Sequence, residues 1–316
     1  MRNKMMPGSK GLNPHELAHR WVKDLGTRPD MSIKVGCISH DMRILGRIVR
    51  VRSTEQSVGI IVGVFCPQHH KIRKNEEHII MKRILMMVLR NLFIVPYGWI
   101  RLCYRAAHVD KYSEEDMYAF LKWIDLHANR GGNVHIDVHG RENLPEKNGF
   151  MFFPNHQGLY DVLAIIEASP RPFSVVAKKE IANIPFLKQV FACMKAYMID
   201  REDVRQAMQV IINVTKEVKK GRNYLIFAEG TRSKNGNRVG TFKGGSFKSA
   251  TKAQCPIVPV ALIDSFKPFD TNTIKRVTVQ VHFLEPIYYE DYKDMKTTEI
   301  AAVAQERIQN VINANV

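Results

Sequence analysis

From Asn133 to the C-terminus, short apolar runs alternate with amphipathic stretches of helical period, and this alternation admits few folds. A sheet layered with helices satisfies it, whereas an all-β or all-helical chain does not. Strands are expected from Val134 to Val138, Gly149 to Phe153, Phe173 to Ala177, Ala196 to Ile199, Tyr224 to Ala228, Ile257 to Leu262 and Val277 to Phe283. Helices are expected between them, from Asp161 to Ala168, Pro185 to Cys193, Asp203 to Lys220, Gly244 to Ala253 and Thr298 to Asn313. The long one puts Val204, Ala207, Met208, Ile211, Ile212, Val214 and Val218 on one face and stops at Gly221. Residues 132–316 therefore read as one α/β domain.

Ahead of it lies the most hydrophobic segment, Ile84 to Tyr104. Arg90, Asn91 and Arg101 interrupt it, and Pro96 and Gly98 weaken its centre. A spanning helix needs about 20 consecutive apolar residues. The segment reads as a helix lying in one leaflet, with Arg83, Arg90, Arg101 and Arg105 reaching headgroups and Tyr97, Trp99 and Tyr104 at the interface; a true span and an internal core helix stay open as alternatives. A second amphipathic helix, Tyr112 to Ala128, is capped by Ser113 and completes a helical hairpin over residues 81–131, with Gly131-Gly132 as the break. Residues 1–80 read as a basic extension of little defined structure. Within it, a short helix is expected from His15 to Leu25 and one isolated strand from Ser57 to Phe65. His69-His70 beside Cys66 match no common zinc spacing. Met81 resembles the beginning of a protein, so the first 80 residues read as a loosely packed extension, with an upstream start as the alternative. No apolar stretch of a secretory signal follows Met1.

The chain has 316 residues, a net charge of +16 and 45% hydrophobic content. The charge calls for an anionic partner: nucleic acid, an anionic membrane surface or a phosphorylated substrate. Five scattered cysteines without a Cys-x-x-Cys pair read as reduced thiols of a cytosolic compartment.

The stretch Phe152-Phe153-Pro154-Asn155-His156-Gln157-Gly158-Leu159-Tyr160-Asp161 runs from a strand, through a turn, into an apolar helix. Asp161 is expected to cap that helix, and a carboxylate facing His156 would fix the imidazole tautomer and stabilise the imidazolium. The spacing alone is weak, since His19 and Asp24 repeat it in a polar segment. Two further expected strands end in polar clusters, Lys178-Lys179-Glu180 and Glu229-Gly230-Thr231-Arg232-Ser233. Such ends are where α/β sheets place ligands. Arg offers a donor fork to phosphate and Lys a mobile point charge, while Gly230 permits close backbone approach. Thr241-Phe242-Lys243-Gly244-Gly245-Ser246 adds a flexible cationic turn that opens a helix.

Taken together, four ordered blocks resemble the glycerolipid acyltransferases, specifically the 1-acylglycerol-3-phosphate O-acyltransferases. They are Asn155 to Asp161 (the His-x4-Asp block), Ala177-Lys178-Lys179-Glu180 through Pro185, Phe227 to Ser233, and Val258-Pro259-Val260-Ala261-Leu262. Asp200-Arg201 and Phe242-Lys243-Gly244 also look like family positions. The resemblance covers about Met81 to Val316. One departure is visible: Lys188 stands where the second block usually has glycine.

The resemblance implies a mixed sheet flanked by helices, of the glycerol-3-phosphate acyltransferase type, behind a membrane-associating hairpin. His156 would be the general base on the free hydroxyl of a lysophospholipid, and Asp161 would orient it. The oxygen would attack an acyl thioester directly, without a covalent acyl-enzyme, cofactor or metal. Arg232 and Lys178, with Lys179 beside it, would hold phosphate, and Glu229, Gly230 and Thr231 would shape the acceptor pocket. The donor would be acyl-coenzyme A or acyl carrier protein, the lipid partner lysophosphatidate in an anionic membrane, and the location the cytoplasmic face of that membrane. Another lysolipid or glycerol 3-phosphate remains open as acceptor. A basic nucleic-acid-binding protein is the rival from another class, but no recognition motif appears. A serine hydrolase would need a Gly-x-Ser-x-Gly elbow, which is absent from the sequence.

Overall fold

The computed structural model describes residues 82–233 and 235–316, together with three strands nearer the N-terminus. Those strands are β1 (Ser32–Cys37), β2 (Leu45–Arg52) and β3 (Ser57–Val64), and they pair antiparallel in sequence order. The strand expected alone at Ser57 is thus the third of a meander. The helix expected at His15 and the His69-His70 pair with Cys66 lie outside the described residues. Two compact units result, Met1–Asn75 and Glu76–Val316.

The second unit opens with helices α1 (Lys82–Arg90) and α2 (Ile94–Ala107), bent by 97° at the break between them. The expected single interfacial helix is therefore two. The break falls at Asn91 rather than Pro96, because the Asn91 amide donates to the carbonyls of Met87 and His127. Pro96 sits in the first turn of α2, where its missing N–H interrupts no helical bond. Among the described residues no single helix is long and apolar enough to cross a membrane; the bent pair reaches that length and composition only together. Helix α3 (Glu114–Gly131) follows, with the Ser113 hydroxyl accepting the Asp116 N–H at 3.0 Å as the expected cap.

Arg83 departs from the headgroup role expected of it. Its guanidinium is buried and donates to the carbonyls of Gly132, Thr273 and Lys275 at 2.5, 2.6 and 3.1 Å. Arg105 lies over the rings of Tyr112 and Phe120, at 4.2 and 4.7 Å from their centroids. These arginines fasten the helices to the body of the unit.

The remaining strands are β4 (Val134–His139), β5 (Met151–Pro154), β6 (Ser174–Lys178), β7 (Tyr197–Ile199), β8 (Tyr224–Leu225), β9 (Ile257–Ile263) and β10 (Val277–Phe283). They form one seven-stranded sheet in the order β4-β10-β9-β5-β8-β6-β7. Strands β9, β5, β8, β6 and β7 run parallel, while β10 is antiparallel to β9 and parallel to β4. The sheet is mixed, as expected.

Period-two alternation splits the core into two layers. Phe150, Phe152, Val258, Val260 and Leu262 face α3 and α4 (Asp161–Ala168). Met151, Phe153, Ile257, Ala261 and Ile263 face α6 (Val204–Lys219) and the C-terminal helix α10 (Thr297–Asn315). Between these helices in the chain lie α5 (Leu187–Cys193), α7 (Lys248–Ala253), α8 (Lys267–Asp270) and α9 (Tyr289–Tyr292). Strand β8 keeps only two residues of the expected five; the Ile226 N–H still donates to the Phe152 carbonyl at 3.0 Å, and the chain then runs to the turn at Gly230. The helix expected from Gly244 is a 3₁₀ turn, Gly244–Phe247, leading into α7. Cys103, Cys193 and Cys255 are free thiols.

Candidate active site

The C-terminal ends of β5, β6, β7, β8 and β9 lie on one edge of the sheet, since these strands are parallel neighbours. That edge collects His156 after β5, Lys178 at the end of β6, Arg201 after β7, the 229–233 turn after β8, and Ser265 after β9.

His156 Nδ1 lies 2.7 Å from Asp161 Oδ2; the imidazole is 20% exposed and the carboxylate not at all. Asp161 is the first residue of α4 rather than its cap; Tyr160 holds the cap position without a side-chain bond. The carboxylate instead turns back into the preceding loop. It accepts the N–H of Gln157 at 2.7 Å, the N–H of Gly158 at 3.0 Å and the Ser265 hydroxyl at 2.6 Å. Every group facing it donates, which is the complement an acceptor-only carboxylate takes. Its charge also sits in the first turn of a helix, where the dipole favours an anion. With Nδ1 donating to Asp161, the lone pair of His156 falls on Nε2, the nitrogen free to take a proton. The imidazole stacks on Phe227 at a centroid distance of 3.9 Å.

Two bonds dock the third polar cluster against this histidine. The His156 N–H donates to Glu229 Oε1 at 2.8 Å, and the Ser233 N–H donates to the His156 carbonyl at 2.7 Å. Glu229 is buried, and its Oε2 accepts the Gly240 N–H at 3.1 Å. Burial pushes the Glu229 carboxyl above the usual carboxylate range, against the pull of those backbone donors. Glu229 thus braces the loop, holding the main chain at His156 with one oxygen and at Gly240 with the other. Gly230 has a φ of +75°, a conformation glycine adopts without penalty, and its carbonyl accepts from the Arg201 guanidinium. A side chain at Gly230 would meet Lys243 Nζ at 3.2 Å and Arg201 Nη1 at 3.3 Å. Thr231 and Arg232 follow as exposed residues between Gly230 and Ser233.

The second cluster is less committed to the centre. Lys178 pairs with Glu180 at 2.7 Å and Lys179 with Asp200 at 3.3 Å, all with exposed lysines. Solvent screens such exposed pairs, so either lysine can exchange its partner for a stronger anion. Phe186, two residues ahead of Lys188, takes a φ of +72° just before α5. Among the described residues no group of three or more His, Cys, Asp or Glu side chains could hold a metal ion.

Sequence reading did not reach Ser265, Asn155, Asn237 or the use of Arg201 and Lys243 at Gly230. Ser265 and Asn237 are polar residues brought in from distant loops, and no local spacing marks them; Asn155 stands in the first block, but its bonds to the far strand do not show in the sequence. The Asn155 amide accepts the Leu262 N–H at 2.7 Å and donates to the Leu262 carbonyl at 3.0 Å, extending the ladder from β5 to β9 one step past Pro154.

This arrangement can remove a proton from a hydroxyl placed at Nε2 and hold an anion at the cationic rim. Residues 135–263 match a family model described as acyltransferase. A 1-acyl-sn-glycerol-3-phosphate acyltransferase of Borreliella burgdorferi is 31% identical over 172 residues, 53% of this chain and 68% of that one. The proteins of the same description from Cocos nucifera and Escherichia coli are each 32% identical. Those two matches cover 57% and 48% of this chain but only 60% and 62% of the relatives' own length. The crystal structure of the 1-acyl-sn-glycerophosphate acyltransferase of Thermotoga maritima superposes with a TM-score of 0.60 at 20% identity, covering 74% of this chain and 97% of that one, a likeness of fold.

Proposed function

The chain belongs to the acyltransferase family, and we propose that it transfers a fatty acyl group to the free hydroxyl of 1-acyl-sn-glycerol 3-phosphate, forming phosphatidic acid for phospholipid synthesis. The family expected from the four sequence blocks is the one found. The observation that carries the chemistry is the 2.7 Å contact of His156 Nδ1 with the buried Asp161 carboxylate.

In this reading the acceptor hydroxyl donates to His156 Nε2. As its oxygen attacks the thioester carbonyl, the proton passes to Nε2 and Asp161 offsets the imidazolium. The tetrahedral intermediate collapses by breaking the carbon–sulfur bond, and the imidazolium returns the proton to the departing thiolate. Ester and free thiol leave, and His156 is neutral again. Asp161 contributes orientation and charge, not a proton.

The phosphate of the acceptor is held by Arg232, with Lys178 exchanging its exposed Glu180 partner for it. The donor is a thioester of coenzyme A or of acyl carrier protein; either carries the anionic character that a chain of net charge +16 attracts. The enzyme works on the cytoplasmic face of a membrane, where the exposed apolar side chains of α1 and α2 enter the lipid.

The test is an acyl-transfer assay with lysophosphatidate, other lysophospholipids and glycerol 3-phosphate, each offered with both thioester donors. Lysophosphatidate is expected to be the preferred acceptor. Preference for another acceptor would reassign the substrate. Failure of transfer from every donor, together with salt-sensitive binding of oligonucleotides over anionic vesicles, would overturn the reading.

A further inference from the structure

We propose that Ser265 is a positioning residue of the acyl-transfer site, the third member of a hydrogen-bonded chain Ser265–Asp161–His156. The inference rests on the His156 reading above and goes beyond the two-residue motif. It is carried by a closed ring of three bonds. The Ser265 hydroxyl donates to Asp161 Oδ1 at 2.6 Å. The Ser265 N–H donates to Gln157 Oε1 at 2.8 Å. The Gln157 N–H donates to Asp161 Oδ2 at 2.7 Å, the same oxygen that receives His156 Nδ1. Ser265, Gln157 and Asp161 are all buried, so no water competes for these bonds.

The ring fixes both oxygens of the carboxylate. Oδ1 takes its shortest bond from Ser265 and a longer one, at 3.1 Å, from the Gly158 N–H that it shares with Oδ2, while Oδ2 also receives His156 Nδ1 and the Gln157 N–H; rotation of the carboxyl about its own axis therefore breaks the Ser265 bond. An unheld carboxylate could rotate and change the direction of the imidazole, and a general base loses rate with small losses of alignment.

The chain takes an uncommon backbone step to put Ser265 there. Strand β9 ends at Ile263, and Asp264 turns left-handed with φ of +61°. That turn is secured from outside. The Asp264 N–H donates to Asn237 Oδ1 at 2.8 Å, Asp264 Oδ1 accepts from the Asn237 amide at 3.0 Å, and Lys267 Nζ donates to Asp264 Oδ2 at 2.6 Å. Asn237 Oδ1 also accepts from the Gln157 amide at 2.9 Å, which ties the turn back to the histidine loop. The last parallel strand of the site thereby sets the geometry of the first.

The variants Ser265→Ala and Ser265→Cys test the proposal; the thiol is somewhat larger, keeps the site filled and donates only weakly. For Ser265→Ala, kcat is expected to fall about tenfold or more while KM for both substrates stays within about twofold, since the hydroxyl touches neither. The downfield proton resonance of His156 Nδ1–H, identified by its loss in His156→Ala, is expected to shift. Ser265→Cys is expected to follow Ser265→Ala. The resonance can be read whether or not the chain transfers acyl groups, so a wild-type protein without activity but with a resonance that moves in Ser265→Ala sinks the acyltransferase reading and leaves the chain of bonds standing. An unmoved resonance in a folded Ser265→Ala or Ser265→Cys protein, or a loss seen in KM alone, overturns the proposal.

Discussion

Glu229 Oε1 accepts the backbone N–H of His156 at 2.8 Å, so the acidic residue of the third sequence block holds the histidine of the first by its main chain. Its other oxygen holds the N–H of Gly240, where an added side chain would collide with the carboxylate. Glu229→Ala leaves two half-buried N–H groups without their acceptor, at a cost of at most about 1–3 kcal/mol for each, the range for a fully buried group. The expected outcome is a lower unfolding midpoint in urea together with reduced kcat. Gly240→Ala is expected to move both quantities the same way by displacing the carboxylate. Loss of acceptor affinity in Glu229→Ala with unchanged stability would return Glu229 to the wall of the pocket.

His156→Ala removes the group that takes the proton. General base catalysis contributes about 10²–10⁴-fold, so transfer should fall by at least that factor. The backbone bonds of residue 156 to Glu229 and Ser233 do not involve the imidazole, so the fold is expected to survive. Thermal unfolding and acyl transfer measured on the same preparation check this. Retained turnover in a folded variant would remove His156 from the mechanism.

Arg232 is exposed on the turn whose next residue binds the His156 carbonyl. A charge-assisted bond to phosphate contributes about 1.5–3 kcal/mol, equivalent to roughly ten- to hundredfold in binding. Arg232→Ala is therefore expected to raise KM for the phosphorylated acceptor by that factor with little change in KM for the thioester. An effect confined to the donor would place the thioester's own phosphates at this residue.

The order of strands and helices was readable because apolar periodicity of two and of 3.6 alternates cleanly from Val134 onward. The mouth of the site was readable for a topological reason: residues that follow parallel strands must emerge on one edge. What local pattern could not carry were contacts across sequence. Asn91 breaks the apolar helix because its amide reaches His127, and Arg83 is buried because carbonyls of Gly132, Thr273 and Lys275 converge on it. Neither partner is visible from the segment itself. Ser265 lies 104 residues from the carboxylate it holds, on a turn marked only by one left-handed Asp.

The exposed apolar side chains of α1, α2 and the break between them give a prediction of their own. Leu89, Phe93 and Ile100 are 61%, 92% and 68% exposed. Full burial of such a side chain stabilises by about 1.5–3 kcal/mol. Replacing Phe93 and Ile100 together by Asp is expected to weaken binding to vesicles containing anionic phospholipid at least tenfold. Neither side chain lies in the core, so the folded state should persist. Co-sedimentation with vesicles and transfer to a lysolipid dispersed in detergent separate the two effects: sedimentation should fall and transfer in detergent should stay. Unaltered sedimentation would move the membrane contact to another surface.

Asp125 is buried in α3, where its Oδ1 accepts from the Asn129 amide at 3.3 Å, and Asn129 in turn binds Glu167 and the Tyr160 hydroxyl. Burial, reinforced by the Glu167 carboxylate and opposed by Lys122, pushes the Asp125 carboxyl well above the usual carboxylate range. The sign of the pH effect follows. Below the ordinary carboxylate pKa of about 4, Asp125 is protonated whether folded or unfolded, and its contribution to stability is intact. As pH rises past that value the unfolded chain gives up this proton first, so unfolding is favoured until the folded group titrates as well. Each unit of difference between the two states costs about 1.4 kcal/mol. Asp125→Asn keeps the Oδ1 acceptor and has no proton to lose. The variant is therefore expected to gain stability relative to the wild-type chain as pH rises from about 4 toward neutrality, measured as the difference between their urea midpoints. A difference that stays flat across this range would mean that the folded Asp125 titrates like an exposed carboxyl.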